Sequence, residues 1–114
     1  MKAASAALLL AWAATVGAAG AQPASPAPAA PVAIVHIKAF AYSPATVTVK
    51  TGESVQFVND DDAAHTATAT DSSFDSGYLA KGDRWTATFS KPGEFAYLCT
   101  YHPFMKGSVT VRTP

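Results

Sequence analysis

Charge and cysteine are both scarce in this chain. Of its 114 residues only 14% are charged, eight Lys and Arg balance eight Asp and Glu, and there is one cysteine beside three histidines and two methionines. With no excess of positive charge to neutralise phosphates or an anionic bilayer, a nucleic-acid binder and a polybasic membrane binder are excluded. A single cysteine closes no intramolecular disulfide, so the thiol needs a role of its own. Internal repeats are missing, and no window of ten or more residues in the body of the chain holds a helical period.

Lys2 precedes an Ala/Leu-rich run, Ala3 to Val16, that ends at Ala19-Gly20-Ala21. These are the basic, apolar and small-residue regions of a secretory signal, with cleavage expected after Ala21. The run falls short of the ~20 residues a membrane span needs, so residues 1–21 are expected to be removed, leaving no permanent anchor. No cysteine follows the run, which excludes a lipoprotein anchor, and the expected destination is the periplasm. Losing Lys2 leaves one more acid than base. Residues 22–31 (QPASPAPAAP) hold four of the eight prolines and no large apolar side chain. They are expected to form an extended leader that is dispensable for the domain spanning 32–114.

Beyond Val32 the pattern is short runs of period two. Val32 to Lys38, Thr46 to Lys50, Ser54 to Asn59, His65 to Thr70, Arg84 to Phe89, Glu94 to Cys99 and Ser108 to Arg112 are rich in Val, Thr and aromatics. Ser43-Pro44, Thr51-Gly52, Asp60 to Asp62, Lys81-Gly82-Asp83, Pro92-Gly93 and Lys106-Gly107 break them. The expectation is an all-β, antiparallel sandwich of about seven to eight strands. Trp85, Phe89 and Phe95 read as core; Phe40, Tyr42 and Phe74 read as core or core margin. Asp60 to Asp62 reads as a solvated turn that could also steer a basic partner.

The most informative stretch is Cys99-Thr100-Tyr101-His102-Pro103-Phe104-Met105. Cys99 closes an alternating strand, and Pro103 and Gly107 keep the following residues from continuing as a helix, so this is a tight loop between the last two strands. In such a loop a thiolate, an imidazole and a thioether three residues apart can converge on one point. His65, just after the Asp60 to Asp62 turn, supplies a second imidazole that a sandwich can bring beside this loop. Two imidazoles and a thiolate with a weak axial thioether are the donors of a blue-copper electron-transfer site. Magnesium and calcium prefer oxygen donors, and structural zinc prefers further thiolates or histidines to a methionine. His36 alternates with Ile34 and Lys38 in the first strand, has no ligand-type neighbour, and reads as non-ligating.

The short Cys-x-x-His-x-x-Met spacing, Phe40-x-x-x-Pro44 and Pro92-Gly93-x-x-x-Tyr97-x-Cys99 resemble the cupredoxin family, and the loop resembles that of the amicyanin group within it. The resemblance spans Val32 to Arg112. It implies a Greek-key sandwich in which His65, Cys99, His102 and Met105 ligate one copper ion cycling between Cu(II) and Cu(I). The implied protein is a soluble monomeric electron carrier, not an enzyme, with redox proteins docking transiently at Pro103 and Phe104. A periplasmic copper chaperone or scavenger is the alternative, although the chain past the signal holds only one methionine. A thiol enzyme built on Cys99 and His102 lacks an orienting carboxylate nearby in the sequence. Two departures stand out: Tyr101 occupies a position where amicyanins have proline, and Thr66 follows the first histidine where many cupredoxins have asparagine. Unlike proline, Tyr101 has an amide N–H, which is expected to point at the Cys99 sulfur.

Overall fold

Where Val, Thr and aromatics alternate with polar residues, the backbone extends and most strands bury one face. In the computed structural model, which describes residues 30–114, this gives β1 (Ala33–Lys38), β2 (Ala41–Ser43), β3 (Thr46–Lys50), β4 (Ser54–Asn59), β5 (Thr68–Ala69), β6 (Arg84–Thr88), β7 (Gly93–Leu98) and β8 (Lys106–Arg112). The expectations for residues 1–29 lie outside the described residues. Among the described residues no helix is long and apolar enough to cross a membrane.

The strands form two four-stranded sheets, in the orders β2-β1-β4-β6 and β3-β8-β7-β5. Between them lies one core, in which Val35, Ile37, Val55, Phe57, Tyr97 and Val109 are fully or almost fully buried. Phe57, Phe74, Trp85 and Tyr97 form an aromatic cluster in its middle, with Trp85 directly opposite Phe57 across β4 and β6. Trp85 and Phe95 are only half buried but pack against the core, as does Phe74.

The sandwich is as expected, but its sheets are not purely antiparallel: β1 pairs with β4 in parallel, and so does β3 with β8. Alternation along a strand reports which face is buried, not the direction of the neighbour. Here the chain leaves the first sheet after β2, runs β3 in the second sheet, and returns with β4 beside β1. The parallel pairings follow from that crossing. β2 itself escaped the sequence reading because three residues between a turn and Pro44 are too few to show a period.

The expected strand from His65 to Thr70 shrinks to the two residues of β5. His65 instead sits at an isolated bridge to Leu79, with amide and carbonyl hydrogen-bonded in both directions at 3.1 and 2.9 Å. Between them the chain folds back on itself, and Ser76 donates to the carbonyl of Ala67 and accepts from its amide. Phe40 is also not core. It is 44% exposed, and its place becomes clear only at the metal centre.

Candidate metal centre

β7 and β8 are neighbouring antiparallel strands, and the chain between them must reverse within the few residues that follow Cys99. It does so through two successive turns: His102 N–H donates to the Cys99 carbonyl at 3.3 Å and Met105 N–H to the His102 carbonyl at 2.9 Å. Cys99 N–H closes the loop on the Met105 carbonyl at 3.2 Å. This is the structural meaning of the three-residue spacing, since each turn brings the next donor residue round. Cys99 and Met105 are buried, while His102 is partly open to solvent.

From the other side, the bridge to Leu79 delivers His65, which is fully buried. Its Nδ1 lies 3.8 Å from Cys99 Sγ, and His102 Nδ1 lies 3.7 Å from the same sulfur. The three donor atoms all fall within 4.8 Å of one another. A first-row ion with bonds of about 2.0 Å to nitrogen and 2.3 Å to sulfur, in a trigonal plane, needs N and S about 3.7 Å apart. The donor set and its spacing therefore fit one type 1 copper ion, with Met105 buried at the end of the same loop. His36 is not part of this cluster; its Nδ1 pairs with Asp60 Oδ2 at 2.7 Å on the surface.

The sulfur accepts a hydrogen bond from the amide of Thr66 at 3.4 Å. The expectation that Tyr101 supplies this amide is corrected: within the described residues the backbone donor to Sγ is the residue after His65. The Tyr101 side chain turns outward, 52% exposed, and packs edge-on against Tyr78. Thr66 Oγ1 also accepts from the amide of Thr100 at 3.0 Å and so ties the two halves of the site together. Its carbonyl in turn accepts from the Tyr42 hydroxyl, whose pKa is pushed well above the ordinary phenol range by burial first, then by Cys99 and Tyr97.

Sequence reasoning missed Asp61. The turn expected to be solvated is so only at its flanks, where Asp60 meets His36 and Asp62 meets Lys81 at 2.6 Å. Asp61 points inward and its Oδ2 lies 2.8 Å from His65 Nε2. Burial pushes its carboxyl up, but the amides of Phe40 and Ala39 and the His65 imidazole outweigh that and hold its pKa below the usual carboxylate value. A carboxylate so placed can accept from His65 Nε2, which leaves Nδ1 facing the sulfur. A carboxylate four residues before a candidate ligand histidine was the available signal, since metal-bound imidazoles commonly donate their second N–H to such a group.

The chain belongs to the cupredoxin-like domain family, which it matches over residues 5–111. It is 33% identical over 84 residues to amicyanin of Paracoccus versutus, covering 69% of this chain and 64% of the relative. To chloroplastic plastocyanin of Tetradesmus obliquus it is 36% identical over 87 residues, covering 65% and 60%. It thus spans less than two thirds of the length of these curated relatives. Among solved structures, a reduced amicyanin variant superposes with a TM-score of 0.66 at 27% identity, covering 69% of this chain and 80% of that one. The Cu-containing nitrite reductase of Thermus scotoductus SA-01 gives 0.69 at 33% identity, with 75% of this chain matching only 23% of that larger chain.

Proposed function

We propose that this protein is a periplasmic electron carrier that holds one copper ion through His65, Cys99, His102 and Met105 and passes single electrons between redox partners. The carrying observation is the convergence of His65, Cys99 and His102 on one point from two separate loops. Bound there, copper supplies the Cu(II)/Cu(I) couple, and the protein's own part is to hold the donors still and control access. Cys99 and His65 are sealed from solvent. His102 is partly open, and its ring packs against Phe104, which is 70% exposed. Pro103 and Phe104 therefore surround the accessible edge of the site with apolar surface suited to brief docking.

Four protein donors leave no evident position for a substrate, which supports a carrier rather than an enzyme. The likeness to nitrite reductase concerns under a quarter of that chain and does not bring its activity here. Periplasmic placement rests on reading residues 1–21 as a cleaved signal. The test is to add Cu(II) to the purified apo-protein. The expected result is an intense blue thiolate-to-copper band that bleaches reversibly with reductant and is lost in Cys99→Ser, since a hydroxyl cannot replace the soft thiolate. A colourless complex, or a blue Cys99→Ser variant, overturns the assignment.

A further inference from the structure

One side chain beside the site gathers three N–H donors from two separate segments. Asp61 Oδ1 accepts from the amide of Ala39 at 2.7 Å; Oδ2 accepts from the amide of Phe40 at 3.0 Å and from His65 Nε2 at 2.8 Å. Ala39 and Phe40 both have positive φ, 51° and 56°, in the left-handed region that residues with a Cβ enter only when held there. Their turn places the Phe40 ring edge-on to both imidazoles, 5.3 Å from His65 and 5.0 Å from His102. The base of Asp61 is fixed as well. Its amide donates to Asn59 Oδ1 at 3.0 Å, and fully buried Asn59 donates from Nδ2 to the carbonyls of Ala63 and Leu79 at 2.9 and 2.8 Å.

We propose that Asp61 is a positioning residue that binds the left-handed Ala39–Phe40 turn and the His65 imidazole into one clamp. The clamp sets His65 in the tautomer with Nδ1 free for metal, and presses Phe40 over both ligand rings. It is in place before metal arrives, because all of its bonds are internal to the chain. Its value for copper rests on the function proposed above, whereas its existence does not.

The carboxylate suits this task because it accepts all three N–H groups at once, while an amide of the same shape offers one oxygen. In Asp61→Ala all three donors lose their acceptor, so nothing holds the imidazole proton on Nε2 or the Ala39–Phe40 turn in place. Nitrogen NMR of the metal-free protein reads this directly. The expected wild-type result is a His65 proton on Nε2, protected from exchange, and the expected Asp61→Ala result is loss of that protection with a larger share of Nδ1–H. Copper competition should then show a tenfold to hundredfold weaker affinity, the usual cost of losing such a partner.

Phe40→Leu tests the other half of the clamp. It should leave the tautomer unchanged and weaken copper by about two- to tenfold, the worth of an edge-to-face aromatic contact. Added to Asp61→Ala it should cost little more, because the turn is already released. A wild-type Nδ1–H tautomer overturns the proposal, and so do independent, multiplying losses in the double variant. If Asp61→Ala does not fold, the wild-type tautomer together with Phe40→Leu decides. Failure to bind copper at all would refute the functional proposal while leaving the tautomer result to judge the clamp.

Discussion

The two imidazoles of the site are opposites in everything except the sulfur they face. His65 is fully buried, hydrogen-bonded through its backbone to Leu79 in both directions and through its ring to Asp61. His102 is partly open, held by the turns of its own loop, and flanked by exposed Phe104 and Phe40. The donor that belongs to the sandwich provides rigidity, and the donor that belongs to the loop provides access. An electron carrier needs both, because fixed donors reduce the rearrangement between oxidation states while an accessible edge shortens the path to a partner.

Removing the two rings one at a time tests this contrast most severely. His102→Gly should lose the native spectrum and regain it when free imidazole is added, since solvent reaches the gap. His65→Gly should lose it without rescue, because the vacated space is sealed beneath Phe40 and beside Asp61. Equal rescue of both variants, read by absorption, would erase the distinction.

The loop side can also be disturbed from below. Gly107 lies opposite Tyr97 across β7 and β8, and a Cβ there would lie 2.3 Å from Cζ and Oη of Tyr97, a buried ring that has no room to retreat. Gly107→Ala should therefore destabilise the fold by about 1–3 kcal/mol, seen as a lower denaturant midpoint. It should perturb the spectroscopic signature of the His102 ring more than that of His65. An unchanged midpoint would mean that β8 shifts freely.

Met105→Leu should keep the blue colour and change the reduction potential, because an axial thioether bond is long and weak. An unchanged potential in voltammetry would make Met105 a core residue only. The smallest effect is expected from Tyr101→Pro. With Thr66 donating the amide to the sulfur, removing the Tyr101 N–H should leave the potential nearly as it was. A large fall would restore the amide to the role that the loop's resemblance first suggested for it.

How much of this could be read from the sequence depended on whether the signal was local. Cys99, His102 and Met105 were legible because one loop carries them at the spacing of its own turns, and His65 because few histidines exist to choose from. Most of the long strands were legible because they bury one face. Asp61 was not, since three consecutive aspartates look alike in sequence and only the fold turns the middle one inward. Phe40 was read as core or core margin because a large aromatic is usually buried, whereas the left-handed turn swings it over the histidines. The parallel pairings were equally hidden, for they join strands whose contact no short window contains.

One of those pairings governs the order in which the molecule can assemble. β3 meets β8 from Thr46 opposite Ser108 to Lys50 opposite Arg112, so the sheet that carries the Cys99 loop is complete only when the last strand joins one of the first. Such a distant closure carries a larger entropy cost than local hairpins and slows folding. Until it occurs, the Cys99 loop is held only by its own turns and by the pairing of β7 with β8, on an unfinished sheet.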